Sequence, residues 1–179
     1  APEESSYVRN SVKAVVDAYD GSVKLYQWDD KDPILKAWQK VFPGTVTPMS
    51  QMSADLIAHM RYPEDLFNVQ RTMMATYHVN DAAEFYSGGD FWKIPDDPTT
   101  PGQDQQAPYY LTLKMPGQDQ ASFSLSSAYI IGGNTNRNVL TGFLAVDSET
   151  SPGTGKKGER SPSYGKLRLL ELPRSSNVA

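Results

Sequence analysis

The sequence predicts an α+β fold: N-terminal helices packed on one face of a mainly antiparallel sheet that the C-terminal half largely builds. Three observations carry this expectation. Up to about residue 94 the apolar residues recur mostly at helical spacing, and the stretches are bracketed by cap and stop residues. From about residue 108 the period falls to two. The 179 residues are 39% hydrophobic and 11% aromatic, enough to fill the core of a single domain spanning 1–179.

The elements follow in order. Ser5 or Ser6 can cap a first helix, with Val8, Val12, Val15, Val16 and Tyr19 on one face and Asp20-Gly21 as its stop. Val23 to Trp28 alternates and reads as a strand that joins the sheet from the N-terminal half. Asp32-Pro33 is a cap followed by proline at the first helical position, and Ile34, Leu35, Trp38, Val41 and Phe42 keep the helical period until Pro43-Gly44. Ser53 opens a short helix through His59. Pro63-Glu64-Asp65 starts a longer one whose buried stripe is expected to be Leu66, Val69, Met73, Met74 and Tyr77. Asn80 caps a helix over Asp81 to Tyr86, closed by Gly88-Gly89, and Phe91, Trp92 and Ile94 form an apolar plug.

Strands follow at Tyr109 to Met115, around Phe123 and Leu125 where serines alternate, at Val139 to Asp147 and at Gly165 to Leu172. Pro-Gly-Gln-Asp-Gln occurs twice, at Pro101 to Gln105 and Pro116 to Gln120, an offset too short for a solenoid repeat and read as two similar turns. Ser148 to Ser163 is rich in Ser, Gly, Lys and Pro and is expected to be a flexible, protruding linker between two strands.

The composition excludes several functions. A formal charge of −4 with scattered Lys and Arg leaves no electrostatic footprint for nucleic acid. The absence of cysteine removes disulfides, thiolate zinc sites and cysteine nucleophiles. No apolar run reaches the length of a membrane span, and no export signal opens the chain. The missing initiator Met and the polar stretch Arg174 to Ala179 are those expected of a piece of a larger protein.

Motifs for chemistry fail on context. Gly153, Gly155 and Gly158 satisfy G-x-G-x-x-G, yet no helix opens after them to receive a pyrophosphate. Asp29, Asp30 and Asp32 form an acidic knot that lacks the glycine and closing glutamate of an EF-hand, and Asp32 already serves as a helix cap. Glu64 and Asp65 suit a helix first turn, and His59 and His78 sit at helix ends, where capping explains them. The sequence therefore assigns no catalytic residue, metal ligand or cofactor. Trp28, Asp29, Asp30 and Trp92 remain as candidates for ligand contact, the aromatics because an exposed ring can stack on a sugar.

Several strings are familiar as wholes. Tyr7-Val8-Arg9-Asn10-Ser11-Val12-Lys13-Ala14, Asp32-Pro33-Ile34-Leu35, Val41-Phe42-Pro43-Gly44 and above all Arg61-Tyr62-Pro63-Glu64-Asp65-Leu66-Phe67, with Tyr77-His78-Val79 and Phe91-Trp92, resemble the soluble region of uncharacterised protein family 0182. The likeness runs from about Tyr7 to Arg174, interrupted around Asp97 to Gln106 and Ser148 to Ser163. These are large multi-pass bacterial membrane proteins, best represented in actinobacteria, without an assigned activity. The resemblance implies a domain on the extracytoplasmic side of the cell membrane, following transmembrane helices that precede Ala1. Its expected role is a non-catalytic interaction or structural module, with other envelope or membrane proteins as partners. Two alternatives stand beside it: envelope glycan or glycolipid binding through exposed aromatics, and a hydrolase whose carboxylates, such as Asp29 and Glu64, meet only in the fold.

Overall fold

Valine decides the first element against the expected helix. In the computed structural model, which describes residues 7–102, 104–132, 139–151 and 155–173, the chain runs as strand β1 over Val12–Val16. β1 pairs antiparallel with β2, Val23–Gln27, in the register Val12↔Gln27 to Val16↔Val23. Val12, Val15 and Val16 are β-branched and favour a pleated surface, and a partner strand that follows after a loop of six residues outweighs a weak helical period. Asp20-Gly21 is the turn it was read to be, closed by the Gly21 N–H to Asp17 O at 2.9 Å, but it ends a strand. The proposed caps Ser5 and Ser6 lie outside the described residues.

The described residues group into two compact units. The first takes the chain up to Leu66 with the described part of Thr150–Pro162. Its sheet has the order β1-β2-β3, where β3 is Val46–Thr47 and runs parallel to β2. Val23 to Trp28 thus joins a separate N-terminal sheet and not the C-terminal one. Helix α1, Pro33–Val41, starts where the Asp32 carboxylate accepts the Ile34 N–H at 2.9 Å, and α2, Ala54–His59, where Ser53 Oγ accepts the Leu56 N–H at 3.3 Å. The connection expected to protrude instead contributes to this unit. Thr150 is 1% exposed, and its hydroxyl donates to Ile57 O at 2.5 Å. The Gly158 N–H donates to Met52 O at 3.0 Å, at a φ of +73° and so close that a Cβ would lie 2.6 Å from Ser50 Cα. Backbone partners and a close approach that only glycine allows explain how so polar a segment is held against the unit, with Ser148 and Thr150 buried and most of the rest half-buried or exposed. Residues 152–154 of that segment, Gly153 of the glycine motif among them, lie outside the described residues.

The second unit runs from Phe67 to Glu149 and resumes at Ser163. Its sheet has the path β4-β6-β7-β8 with β5 also paired to β6, every pairing antiparallel: β4 Trp92–Lys93, β5 Tyr109–Leu113, β6 Ser122–Ile131, β7 Leu140–Asp147 and β8 Leu167–Glu171. Three of the four serines of β6 are shut away from water. Ser124, Ser126 and Ser127 are buried, and Ser126 Oγ donates to Tyr109 O at 2.8 Å. Both repeated pentapeptides are turns with glycine at positive φ, Gly102 and Gly117; Gln103 lies outside the described residues.

Helix α3, Glu64–Tyr77, begins at the predicted residue but turns the other way round. Phe67, Arg71 and Ala75 are buried, whereas Val69, Met73 and Tyr77 are 43%, 55% and 66% exposed. The physical reason is a polar anchor at the centre of the buried face. Arg71 Nη1 donates to Gln106 O at 2.8 Å, and the fully buried Tyr129 hydroxyl donates to Arg71 O at 2.7 Å. Burial raises the Tyr129 pKa, so the hydroxyl stays a donor. A second buried charge ties the sheet together: Asp147, 2% exposed, accepts Arg168 Nη1 at 2.6 Å and Gln118 Nε2 at 3.0 Å. Helix α4, Ala82–Ser87, is capped by Asp81, one residue later than expected from Asn80, and ends at Gly88.

Candidate functional site

Three of the four residues singled out by sequence lie in the first unit. Trp28 is 2% exposed and offers no stacking face to a sugar. Its ring lies under the Lys13 ammonium at 5.3 Å and the Arg160 guanidinium at 5.0 Å, and Arg160 Nη1 donates to Trp28 O at 2.9 Å. Burial, with Arg160 as a second cause, lowers the Lys13 amine to a pKa of about 8. Asp29 pairs with Arg9 Nε at 2.6 Å and accepts the Lys31 N–H at 2.8 Å. Partial burial pushes its pKa up, but the Lys31 N–H and Arg9 outweigh that and leave it below the usual range. Asp30 is an exposed turn residue. Asp32 accepts the Ser11 and Tyr7 hydroxyls as well as the helix N–H. The acidic knot is thus three carboxylates with separate tasks, and the described residues hold no group of three His, Asp or Glu side chains arranged for a metal ion.

The same unit presents an apolar face to solvent. Ile34, Trp38, Val41 and Phe42 recur at i, i+4, i+7 and i+8 along α1 and its C-cap, each about half exposed or more, while Leu35 is the buried residue of the helix. The Trp38 and Phe42 rings stack at 5.3 Å with an interplanar angle of 17°. The helical period expected of these residues is realised, and the face they form is left uncovered among the described residues.

Trp92, the fourth candidate, lies in the second unit at the wall of a cavity of about 710 Å³. β4 holds it there through pairing with Ile131 and the Gly132 N–H to Phe91 O at 2.9 Å. Its ring is nearly parallel to that of His78, centroids 3.5 Å apart, and lies 5.3 Å from that of Tyr129. Gly142 on β7 makes this possible, because a Cβ there would come within 2.5 Å of the Trp92 ring. His78 follows α3 and is 7% exposed, its Nδ1 donating back to Met74 O at 2.9 Å. Its Nε2 is buried with no hydrogen-bond partner among the described residues. Asp81 at the cap of α4, Glu84 in its first turn, Asp90 after the glycine turn and Glu171 at the end of β8 line the remainder, and no Lys or Arg is among the described residues that do. Sequence reasoning placed His78 at a helix end and passed over Glu171. Its one usable signal was Gly142, since an isolated glycine inside a strand marks a close approach.

The family model described as "Uncharacterised protein family (UPF0182)" matches residues 1–179. The chain belongs to this family. Among curated relatives, the UPF0182 protein of Kocuria rhizophila is 58% identical over 181 residues, covering 98% of this chain and 18% of its own length. That of Micrococcus luteus is 56% identical over 176 residues, covering 97% and 17%. UPF0182 protein BL1029 of Bifidobacterium longum is 54% identical over 181 residues, covering 98% and 17%. The chain therefore spans less than a fifth of the length of these relatives and corresponds to part of a larger protein. No solved structure gives a significant match. Among the described residues no helix is long and apolar enough to cross a membrane.

Proposed function

We propose that this chain is a non-catalytic interaction module that docks against another stretch of its own, much longer polypeptide, on the extracytoplasmic side of the cell membrane. The observation that carries the docking is the apolar face of α1. Half-exposed Ile34, Trp38, Val41 and Phe42 leave undone roughly half of the burial available to four large side chains. Covering them is worth about 3–6 kcal/mol, at about 1.5–3 kcal/mol for each fully buried side chain. The occupant is sought within the same polypeptide because more than four-fifths of the length of its relatives lies beyond the matched region. The extracytoplasmic placement rests on the sequence resemblance alone. The hydrolase reading loses support because Asp29 is committed to Arg9 and Lys31. A glycan reading retains the Trp38–Phe42 stack as its platform.

A photo-crosslinking residue at Val41 of the full-length protein in cells tests the docking. Adducts within one polypeptide, lost in Trp38→Ser, are expected. Adducts to a different protein, or retained protection of Trp38 by soluble envelope glycan with no crosslink, overturn the reading. A reporter fused after Pro173 in the full-length protein is expected to be active only when exported; activity in the cytoplasm overturns the placement.

A further inference from the structure

We propose, resting on the reading that α1 docks within its own longer polypeptide, that its uncovered face seats an amphipathic helix with acidic residues along one flank and a large apolar residue as anchor. The first argument is shape. α1 satisfies its backbone groups internally, with Asp32 at one end and the Phe42 N–H to Trp38 O at 2.8 Å at the other. It offers no sheet edge for an added strand, so an occupant meets side chains alone. Ile34, Trp38, Val41 and Phe42 form a ridge of the kind that fits between the ridges of a second helix. From Ile34 to Phe42 that ridge is about 12 Å long at about 1.5 Å per residue, which a helix of about two to three turns matches.

The anchor follows from a groove beside the ridge. It has a volume of about 390 Å³ and is walled by Ile34, Leu35 and Trp38 on the helix side and by Tyr7 and Val12 on the other. Its polar groups are engaged within the fold. The Asp32 carboxylate, 4% exposed, accepts the Ser11 and Tyr7 hydroxyls and the Ile34 N–H, and Arg9 pairs with Asp29 at 2.6 Å. A polar side chain entering the groove gives up water beside groups that already have partners, whereas an apolar one disturbs no bond. The groove therefore favours an apolar residue of the occupant.

The acidic flank follows from charge. Pro33 to Phe42 contains no acidic residue, and its two cations, Lys36 and Lys40, lie one turn apart on the same flank, both exposed. Neither is in an ion pair among the described residues. In the turn before the helix, exposed Asp30 and Lys31 offset each other. Carboxylates facing Lys36 and Lys40 would strengthen docking about two- to fivefold for each pair. The polypeptide has length enough to supply the helix, since the matched region is less than a fifth of its relatives.

The test places a photo-crosslinking residue at Ala37 of the full-length protein, where the i+3 and i+4 neighbours are Lys40 and Val41, and locates the attached residues by mass spectrometry. Adducts are expected within the same polypeptide, on a segment with apolar residues three and four apart and Asp or Glu beside them. Lys36→Glu with Lys40→Glu, compared in an Ile34→Ala background where docking is weakened and yield follows affinity, should lower the adduct about two- to thirtyfold. Changing the acidic residues of the attached segment to Lys should restore it. Adducts within the polypeptide on a segment of period two or one rich in Lys and Arg, or a yield unmoved by the double reversal, overturn the proposed occupant and leave the docking reading standing. Adducts to phospholipid or to a different protein overturn both.

Discussion

Replacing Gly142 by alanine sets a methyl group against a ring that has little room to move. The new Cβ would lie 2.5 Å from Cζ3, 2.7 Å from Cη2 and 3.1 Å from Cε3 of Trp92. Carbon atoms rest about 3.5–4.0 Å apart, so the ring must retreat by about 1 Å. His78 lies almost parallel to it at 3.5 Å between centroids and Tyr129 at 5.3 Å, and the backbone on either side is fixed by sheet pairing. Overpacking of this kind costs about 1–3 kcal/mol, which for a chain of this length lowers Tm by roughly 2–12 °C. Calorimetry of the parent, Gly142→Ala, Trp92→Leu and the double variant measures it. In the Trp92→Leu background the alanine should cost almost nothing, because the clashing atoms are gone and glycine is itself unfavourable in a strand. A Gly142→Ala variant as stable as the parent, or one with the same penalty in both backgrounds, refutes the reasoning.

Arg168→Met should destabilise the chain by about 3–5 kcal/mol in urea unfolding, since it leaves the buried Asp147 with only the Gln118 amide, and Asp147→Asn in the same chain should restore part of the loss. A loss of a few tenths of a kcal/mol would show that solvent reaches the carboxylate. Lys13 supplies a pH signature. Its amine is lowered from 10.5 to about 8 in the fold, so between these values the unfolded chain binds more protons and stability rises with pH. The penalty is fully present below about pH 8 and is relieved by about pH 10.5, and the difference between parent and Lys13→Met should trace that rise. A difference that is flat from pH 7 to 11 contradicts it.

Local chemistry was legible wherever one residue sets the backbone. Asp32-Pro33, Ser53 and Pro63-Glu64 start helices at the places read for them, and Gly21, Gly102 and Gly117 turn the chain where turns were expected. The period-two stretches became β5, β7 and β8 within a few residues of their predicted bounds. Direction and partnership were not legible. Val12–Val16 satisfies both periods, and only β2 as an available partner makes it a strand. In α3 the apolar stripe pointed to Val69, Met73 and Tyr77, yet Arg71 faces inward because Gln106 and Tyr129, 35 and 58 residues further on, provide its partners. Trp28 and Trp92 have the same chemistry, and their different exposure is decided by residues far away in sequence: Arg160 for one, His78 and Gly142 for the other.

The sequence by itself thus determined the family, the α+β class, the caps and turns, and the absence of cysteine chemistry, all of which depend on short strings or on composition. Only the tertiary structure decided which apolar face is covered, that β2 belongs to a separate sheet, that the polar connection is partly buried, and that four carboxylates meet around Trp92. Those outcomes are set by contacts between residues distant in sequence, and such contacts leave no mark on the local period of either partner.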